Sequence, residues 1–113
     1  MADYTQEIVK RWAESAADTN GGGITSTHGA IDLQAHTVTS LQCSGDAAAL
    51  ITIESPPGTI IWRKRYLAGF VMSEIFPPGT IIGAQSAAIS LKISGSTENC
   101  EGNFQGFTVM ARP

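Results

Sequence analysis

Charged side chains are scarce in this sequence of 113 residues. They make up 15% of the chain, whereas ordinary soluble domains carry roughly 25%. Seven residues are Lys or Arg and ten are Asp or Glu, for a net charge of −3. So few cations leave no general footprint for phosphates, and we expect no nucleic-acid partner. The polar surface must come from Ser, Thr, Gly, Gln and Asn. Such a surface is typical either of an ordinary β domain or of a protein that packs against another protein.

Long apolar runs are also lacking. No segment approaches the ~20 consecutive apolar residues of a membrane-spanning helix. The first residues, MADYTQE, are polar, and no apolar stretch follows a basic start. We therefore expect no membrane partner and synthesis in the cytoplasm.

The two cysteines, Cys43 and Cys100, are too few for a structural zinc site, which usually has four ligands. A disulfide between them would be worth roughly 4 kcal/mol on the chain-entropy model. A reducing cytoplasm favours two buried free thiols instead.

Signatures of catalysis are missing as well. The sequence has no G-x-S-x-G elbow, no phosphate-binding G-x-x-x-x-G-K loop and no G-x-G-x-x-G fingerprint. His28 and His36 lie eight residues apart, roughly 26 Å on an extended strand, which is too far for one metal ion unless the chain turns back. Nothing in the sequence demands such a turn, so we expect histidines at solvent or at an interface. Cys43 could act as a nucleophile with His36 as its base, but nothing in the sequence places a third group that would orient the histidine. We therefore predict no enzymatic activity, no catalytic or metal-binding residues, and no cofactor.

The N-terminal segment, residues 1–20, has the apolar spacing of an amphipathic helix. The stripe consists of Tyr4, Ile8, Val9, Trp12, Ala13 and Ala16. Asn20 and Gly21 are a plausible helix stop, and residues 21–23 are predicted to be a glycine hinge. So short a helix must pack, either on its own domain or, as an anchor or oligomerisation arm, on a partner.

After Gly23 the pattern changes to period two. Ile89, Leu91 and Ile93 alternate with polar residues, which is the cleanest strand signal in the chain. Further strand candidates are AAALITIE, TIIWRKRYL, AGFVMSEI and FQGFTVMA. Turn clusters rich in Ser, Pro and Gly separate them. The prediction is a mainly β protein: an antiparallel β-sandwich or jelly roll over residues 24–113, with one N-terminal α-helix.

The hexapeptide PPGTII occurs twice, at Pro56–Ile61 and at Pro77–Ile82. The Gly allows the positive φ that a type II turn needs at its third position, and TII then enters a strand. The flanking sequences differ, so the pattern indicates shared turn chemistry at two corners rather than a structural repeat.

Two stretches resemble small all-β structural proteins of tailed-bacteriophage virions: AAALITIESPPGTIIWRKRYLAGF and FPPGTIIGAQSAAISLKISGSTENCEGNFQGFTVMARP. The resemblance is one of composition and texture over roughly residues 43–113. It implies a sandwich or jelly-roll protein, often a trimer, that decorates a capsid or forms part of a fibre or tail. It carries no catalytic residues.

The resulting expectation is a virion structural protein, made in the host cytoplasm, that decorates or cements a capsid by self-assembly and surface binding. Its partners would be its own copies and a larger assembly such as a capsid or tail. The residues expected at an oligomer or partner interface are Tyr4, Ile8, Trp12, Trp62 and Tyr66. The alternative is a carbohydrate- or receptor-binding β module of a phage tail or fibre, with Trp62 and Tyr66 at the glycan site.

Overall fold

A computed structural model describes residues 8–19 and 21–110. These residues contain nine β-strands and no α-helix. The strands are β1 (Ile8–Asp18), β2 (Ile24–His28), β3 (His36–Gly45), β4 (Ala49–Glu54), β5 (Ile60–Tyr66), β6 (Phe70–Ile75), β7 (Ile81–Ile82), β8 (Ile89–Ser94) and β9 (Cys100–Met110). Within this part of the chain, no helix is long and apolar enough to cross a membrane.

The predicted N-terminal helix is wrong, because its described part forms strand β1. All eleven residues of β1 pair with β9 in an antiparallel ladder. Trp12 and Ala16 are partly buried while Ala13 and Ala17 are exposed, which is the period-two pattern of a strand. A spacing of four residues satisfies both a helix and a strand, so the stripe did not discriminate between them. Pairing with β9 outweighs the marginal stability of a short helix.

The strands form two antiparallel sheets. Sheet A has the order β1-β9-β3-β6, with β7 also paired to β3, and sheet B has the order β2-β8-β4-β5. Only β4 and β5 are both adjacent in sequence and paired. Most other connections, such as β1 to β2 and β5 to β6, carry the chain from one sheet to the other. The two sheets are therefore linked by repeated crossovers of the chain.

The inward faces of both sheets share one hydrophobic core. Sheet B contributes side chains with 0–1% exposure from β4 and β8, and sheet A contributes fully buried side chains from β3 and β9. The central members are Val38, Leu41, Ile51, Ile53, Ile89, Leu91, Ile93 and Phe104. The predicted inward face of β8 is confirmed. On β9 the buried aromatic is Phe104, whereas Phe107 is only partly buried.

Glycines on β9 make room for this core. Gly102 and Gly106 flank Phe104 on the buried face of the strand. A Cβ added at Gly106 would lie 1.8 Å from the Thr37 carbonyl oxygen and 2.9 Å from Cζ2 of Trp12. Trp12 and β3 can therefore approach β9 closely only because residue 106 has no side chain.

The two PPGTII segments form equivalent turns, as predicted. The Thr59 amide donates to the Pro56 carbonyl at 2.9 Å, and the Thr80 amide donates to the Pro77 carbonyl at 3.1 Å. Gly58 and Gly79 have φ values of 100° and 84°, as position three of a type II turn requires. The first turn precedes β5 and the second precedes β7.

The glycine segment after β1 is a close-packed crossover to sheet B. Gly21 and Gly23 both have a φ of 79°. A Cβ at Gly23 would lie 2.3 Å from the carbonyl oxygen of Ile93, and one at Gly21 would lie 2.6 Å from that of Thr97. These glycines therefore fit tightly against the strand β8 and the loop that follows it.

Candidate binding surfaces

The outer face of sheet A carries little charge over three of its rows, beyond which Arg11 is exposed on β1. Three rows of outward-facing residues cross its strands from β1 to β6, and one of these twelve side chains, Glu101, carries a charge. The rows, called the sheet A face below, are Ala17, Glu101, Ser44 and Val71; Ser15, Asn103, Gln42 and Ser73; and Ala13, Gln105, Ser40 and Ile75. Ionised groups are the most costly to desolvate, so a face with one charge in twelve positions is cheaper to cover than an ordinary charged surface, provided that its amides and hydroxyls find hydrogen-bond partners.

A shallow groove of about 660 Å³ runs across the sheet A face at its first two rows. The amide side chains of Gln42 and Asn103 lie opposite each other on neighbouring strands in the groove. The hydroxyl of Ser44 donates to Oε1 of Glu101 at 3.4 Å. The groove therefore offers amide, hydroxyl and carboxylate groups between small apolar side chains.

The sheet A face ends in an apolar edge, defined by Val71 and Ile75 on β6 and Ile82 on β7. Val71 is 89% exposed and Ile75 is 80% exposed. In the described residues no strand pairs with the far side of β6. An exposed apolar strand with an unpaired backbone is a site where another chain can bind.

The other sheet edges are protected by charge or by short length. On β5, Arg63 and Arg65 face outward from sheet B in a run with Lys64. The edge strand β1 carries Lys10 and Arg11, and β2 is only five residues long. These are common devices against edge pairing. The basic run thus lies on an edge strand, where its like charges oppose pairing with another copy of that strand.

The side of the molecule between β5 and β6 is closed by contacts between aromatic residues. Tyr66 stacks on Phe70 with ring centroids 4.6 Å apart, and Trp62 meets Phe76 edge-on at 5.5 Å. Between these pairs, Nζ of Lys64 lies 3.2 Å from Oε2 of Glu74. Trp62 and Tyr66 are partly buried against the core. Their rings close the gap between the sheets on this side of the molecule.

The opposite side, between β1 and β2, is closed by Trp12 and His28. Their rings stack with centroids 4.4 Å apart and an interplanar angle of 12°. Nδ1 of His28 lies 2.9 Å from Oε2 of Glu14. Trp12 also contacts Phe104 edge-on at 5.1 Å. Its indole Nε1 is buried, with no hydrogen-bond partner among the described residues.

The loop between β2 and β3 turns back and brings the two histidines together, so the expectation that they lie far apart is wrong. Their ring centroids are 4.5 Å apart. His36 is fully buried, and Nε2 lies 2.7 Å from the Gly29 carbonyl oxygen. A carbonyl only accepts, so Nε2 carries the hydrogen. The Thr108 hydroxyl then donates to Nδ1 at 2.6 Å.

Burial lowers the pKa of His36 below its usual value, and the neighbouring His28 lowers it further, while the hydrogen bond to Gly29 acts in the opposite direction. His36 is therefore a neutral core residue whose two ring nitrogens both have partners. Among the described residues, no group of three or more His, Cys, Asp or Glu could hold a metal ion.

Cys43 and Cys100 are both buried and free. Burial raises the pKa of Cys43 to about 12, with a further contribution from Cys100. The pKa of Cys100 is raised by burial and by the charge of Asp18. Thiols held in the protonated form in a core are poor nucleophiles.

The residues expected at an interface lie in different places. Tyr4 is outside the described residues, and Ile8 begins β1. Trp12, Trp62 and Tyr66 lie at the two closed sides described above. The candidate binding residues on the sheet A face, including Val71 and Ile75, were missed because their small, polar or isolated apolar side chains give no motif. The period-two alternation of side chains along β6 was the signal in the sequence that could have placed Val71 and Ile75 together on one face.

The sequence matches no protein-family model and no curated protein.

Proposed function

We propose that this protein is a non-enzymatic structural protein of a bacteriophage virion that decorates a capsid by self-assembly and surface binding. The single observation that carries the proposal is the sheet A face, which has one charge in twelve positions and ends in the apolar edge. Depletion of charged residues is the compositional mark of the buried centre of a protein–protein interface.

The strand order supports the finer fold in this proposal. Apart from the short β7, the strands alternate between the two sheets everywhere except at the β4–β5 hairpin, which is the order of a jelly roll, and distant strands such as β1 and β9 are paired side by side. Jelly rolls occur in viral capsid proteins and in lectins. The strand order therefore supports a structural role, to which the sheet A face adds the surface chemistry.

Weak contacts suffice for such a role. A decoration protein is presented with many copies of the same lattice site, and linkage among its own copies multiplies modest affinities. A neutral face also binds with little dependence on ionic strength, since few charges are screened. We therefore expect particle binding that persists in high salt.

Co-sedimentation with particles tests the proposal. In lysates from the phage that encodes this chain, the protein should sediment with intact virions and be detected in them by mass spectrometry. Asn103→Arg, which puts a cation in the middle of the sheet A face, should abolish co-sedimentation. Thr25→Arg adds the same charge at an exposed position of sheet B and should leave it intact. Absence of the chain from purified virions would rule out the proposal.

A second candidate function is binding of a carbohydrate or receptor, as in a tail or fibre. It is favoured by the paired amides of Gln42 and Asn103 beside the carboxylate of Glu101 in the groove, because amides and carboxylates together offer donors and acceptors to sugar hydroxyls. A glycan array with the intact protein tests it. Gln42→Ala and Asn103→Ala should both lose a glycan signal that Trp62→Ala, at the closed side, retains.

A further inference from the structure

We propose that strand β6 pairs antiparallel with β6 of a second copy of this chain, joining the two A sheets across a two-fold axis at Ser73. The inference rests on the proposed function, because self-assembly is part of that function. It adds the surface used, the register of pairing and the number of copies.

The backbone of β6 is oriented for such pairing. The amide of Phe76, directly after the strand, donates to the Thr39 carbonyl at 2.8 Å. Backbone groups in an antiparallel strand alternate in direction, so those of Val71, Ser73 and Ile75 point away from β3. Three residues therefore present amide and carbonyl groups along an edge that no described strand occupies.

The side chains of β6 match their own two-fold image. When Ser73 lies opposite Ser73 of the second copy, Val71 of each copy lies opposite Ile75 of the other. These are two of the most exposed apolar side chains of the molecule, and pairing covers both in each copy. The three outward residues would form up to about six backbone hydrogen bonds.

Charge does not oppose this arrangement. The only charged residue of β6 is Glu74, which faces β5 and is bridged by Lys64. Self-pairing of β5 would bring Arg63, Lys64 and Arg65 against their own copies, which destabilises a ladder. Charge therefore permits pairing with a second copy at β6 and opposes it at β5.

The geometry also limits the size of the assembly. Pro77 and Pro78 follow β6 and cannot extend the ladder, because proline has no amide hydrogen to donate. A two-fold contact uses the same edge in both copies and so closes at two. One six-residue strand per copy is a small interface, for which we expect dissociation in the micromolar range.

Analytical ultracentrifugation of the full chain over the micromolar range tests the inference. The wild type should pass from monomer to dimer. In Val71→Lys/Ile75→Lys, lysines face lysines across the axis, and self-association should weaken roughly tenfold or more. In Val71→Lys/Ile75→Glu, each lysine faces a glutamate of the other copy, and dimerisation should return in a salt-sensitive form.

A matched control adds two lysines elsewhere. Leu33→Lys/Leu67→Lys replaces two apolar side chains that are 68% and 86% exposed and lie outside β6. This variant should dimerise like the wild type. Every substituted residue is at least 68% exposed, so all variants should fold, and circular dichroism checks this.

Particle co-sedimentation of the same proteins separates the two proposals. A wild type that binds virions but stays monomeric, forms trimers, or dimerises equally well in all variants overturns the β6 pairing and leaves only the capsid-binding part of the proposed function standing. A wild type that dimerises through β6 but never binds virions overturns the proposed function alone.

Discussion

Trp12 and His28 stack face to face at 4.4 Å across the side where β1 and β2 meet. One residue belongs to sheet A and the other to sheet B, and in the described residues β1 and β2 are not paired with each other, so the stacked rings connect the two sheets at this edge. Tyr66 and Phe70 do the same on the opposite side. Trp12 and Tyr66, two of the residues predicted at an interface, thus connect the two sheets within one copy of the chain.

Replacement of Trp12 should reveal this role in a stability measurement. Trp12→Ala removes contacts with His28 and Phe104, and we expect the free energy of unfolding to fall by about 3 kcal/mol. Trp12→Phe keeps a ring and removes an indole nitrogen that has no hydrogen-bond partner in the described part of the chain, so it should cost less than half as much. Urea denaturation followed by circular dichroism measures both. Equal losses would contradict the stacking account.

Stability should depend on pH through His36. Its folded-state pKa lies below the unfolded value of about 6.5. The contribution to stability is complete above about pH 6.5, and falls as pH drops towards the folded pKa, because only the unfolded state then binds the proton. The slope from this group is at most about 1.4 kcal/mol per pH unit.

His36→Gln provides the control for that dependence. The variant removes the titrating group, so its unfolding free energy should change less than that of the wild type between pH 5 and 7. The groups facing His36 are His28, Trp12 and Thr108, with Glu14 beyond His28. Urea midpoints measured across this range for both proteins give the difference. Parallel curves would show that His36 is not the source.

Gly106→Ala should be among the most damaging small substitutions. The added methyl group meets the Thr37 carbonyl 1.8 Å away, so β9 and β3 must separate. We expect a loss of more than about 3 kcal/mol or failure to fold. Gly29→Ala, where nothing lies within 4 Å of the added carbon, should stay within about 0.5 kcal/mol of the wild type. Thermal melts of the two variants make the comparison.

The thiols of Cys43 and Cys100 should be unreactive in the folded protein. Both are buried, and the pKa of about 12 for Cys43 leaves almost no thiolate at pH 8. Labelling with a disulfide reagent at pH 8 should therefore proceed only as fast as the protein opens. In denaturant both thiols should react at once. Rapid labelling of a thiol under native conditions would show that the core around it is open.

Local patterns predicted the parts of the fold that depend on local chemistry. The alternation of Ile89, Leu91 and Ile93 predicted which face of β8 is buried. Pro-Pro-Gly predicted two turns, and the glycine φ values agree with them. A strand face or a turn depends on a few consecutive residues, so its signal is present in the sequence.

The candidate binding surfaces could not be predicted in the same way. The sheet A face assembles residues from four strands, and its character comes from what those residues lack. Trp62 and Tyr66 were predicted at an interface because they are large aromatic residues. Their partial burial depends on contacts with Phe76 and Phe70, which lie on the side of the other sheet. A pattern along one strand does not say what lies across from it.

The sequence by itself determined that this is a charge-poor chain of short strands joined by Gly- and Pro-containing turns, because side-chain alternation and turn propensity act over a few residues. Tertiary structure decided that residues 8–18 are a strand, since their partner β9 lies some ninety residues away. It also decided that His28 contacts His36 and that β6 is an edge strand with no partner on its far side among the described residues. These outcomes depend on contacts between distant segments, whose free energy outweighs local preference.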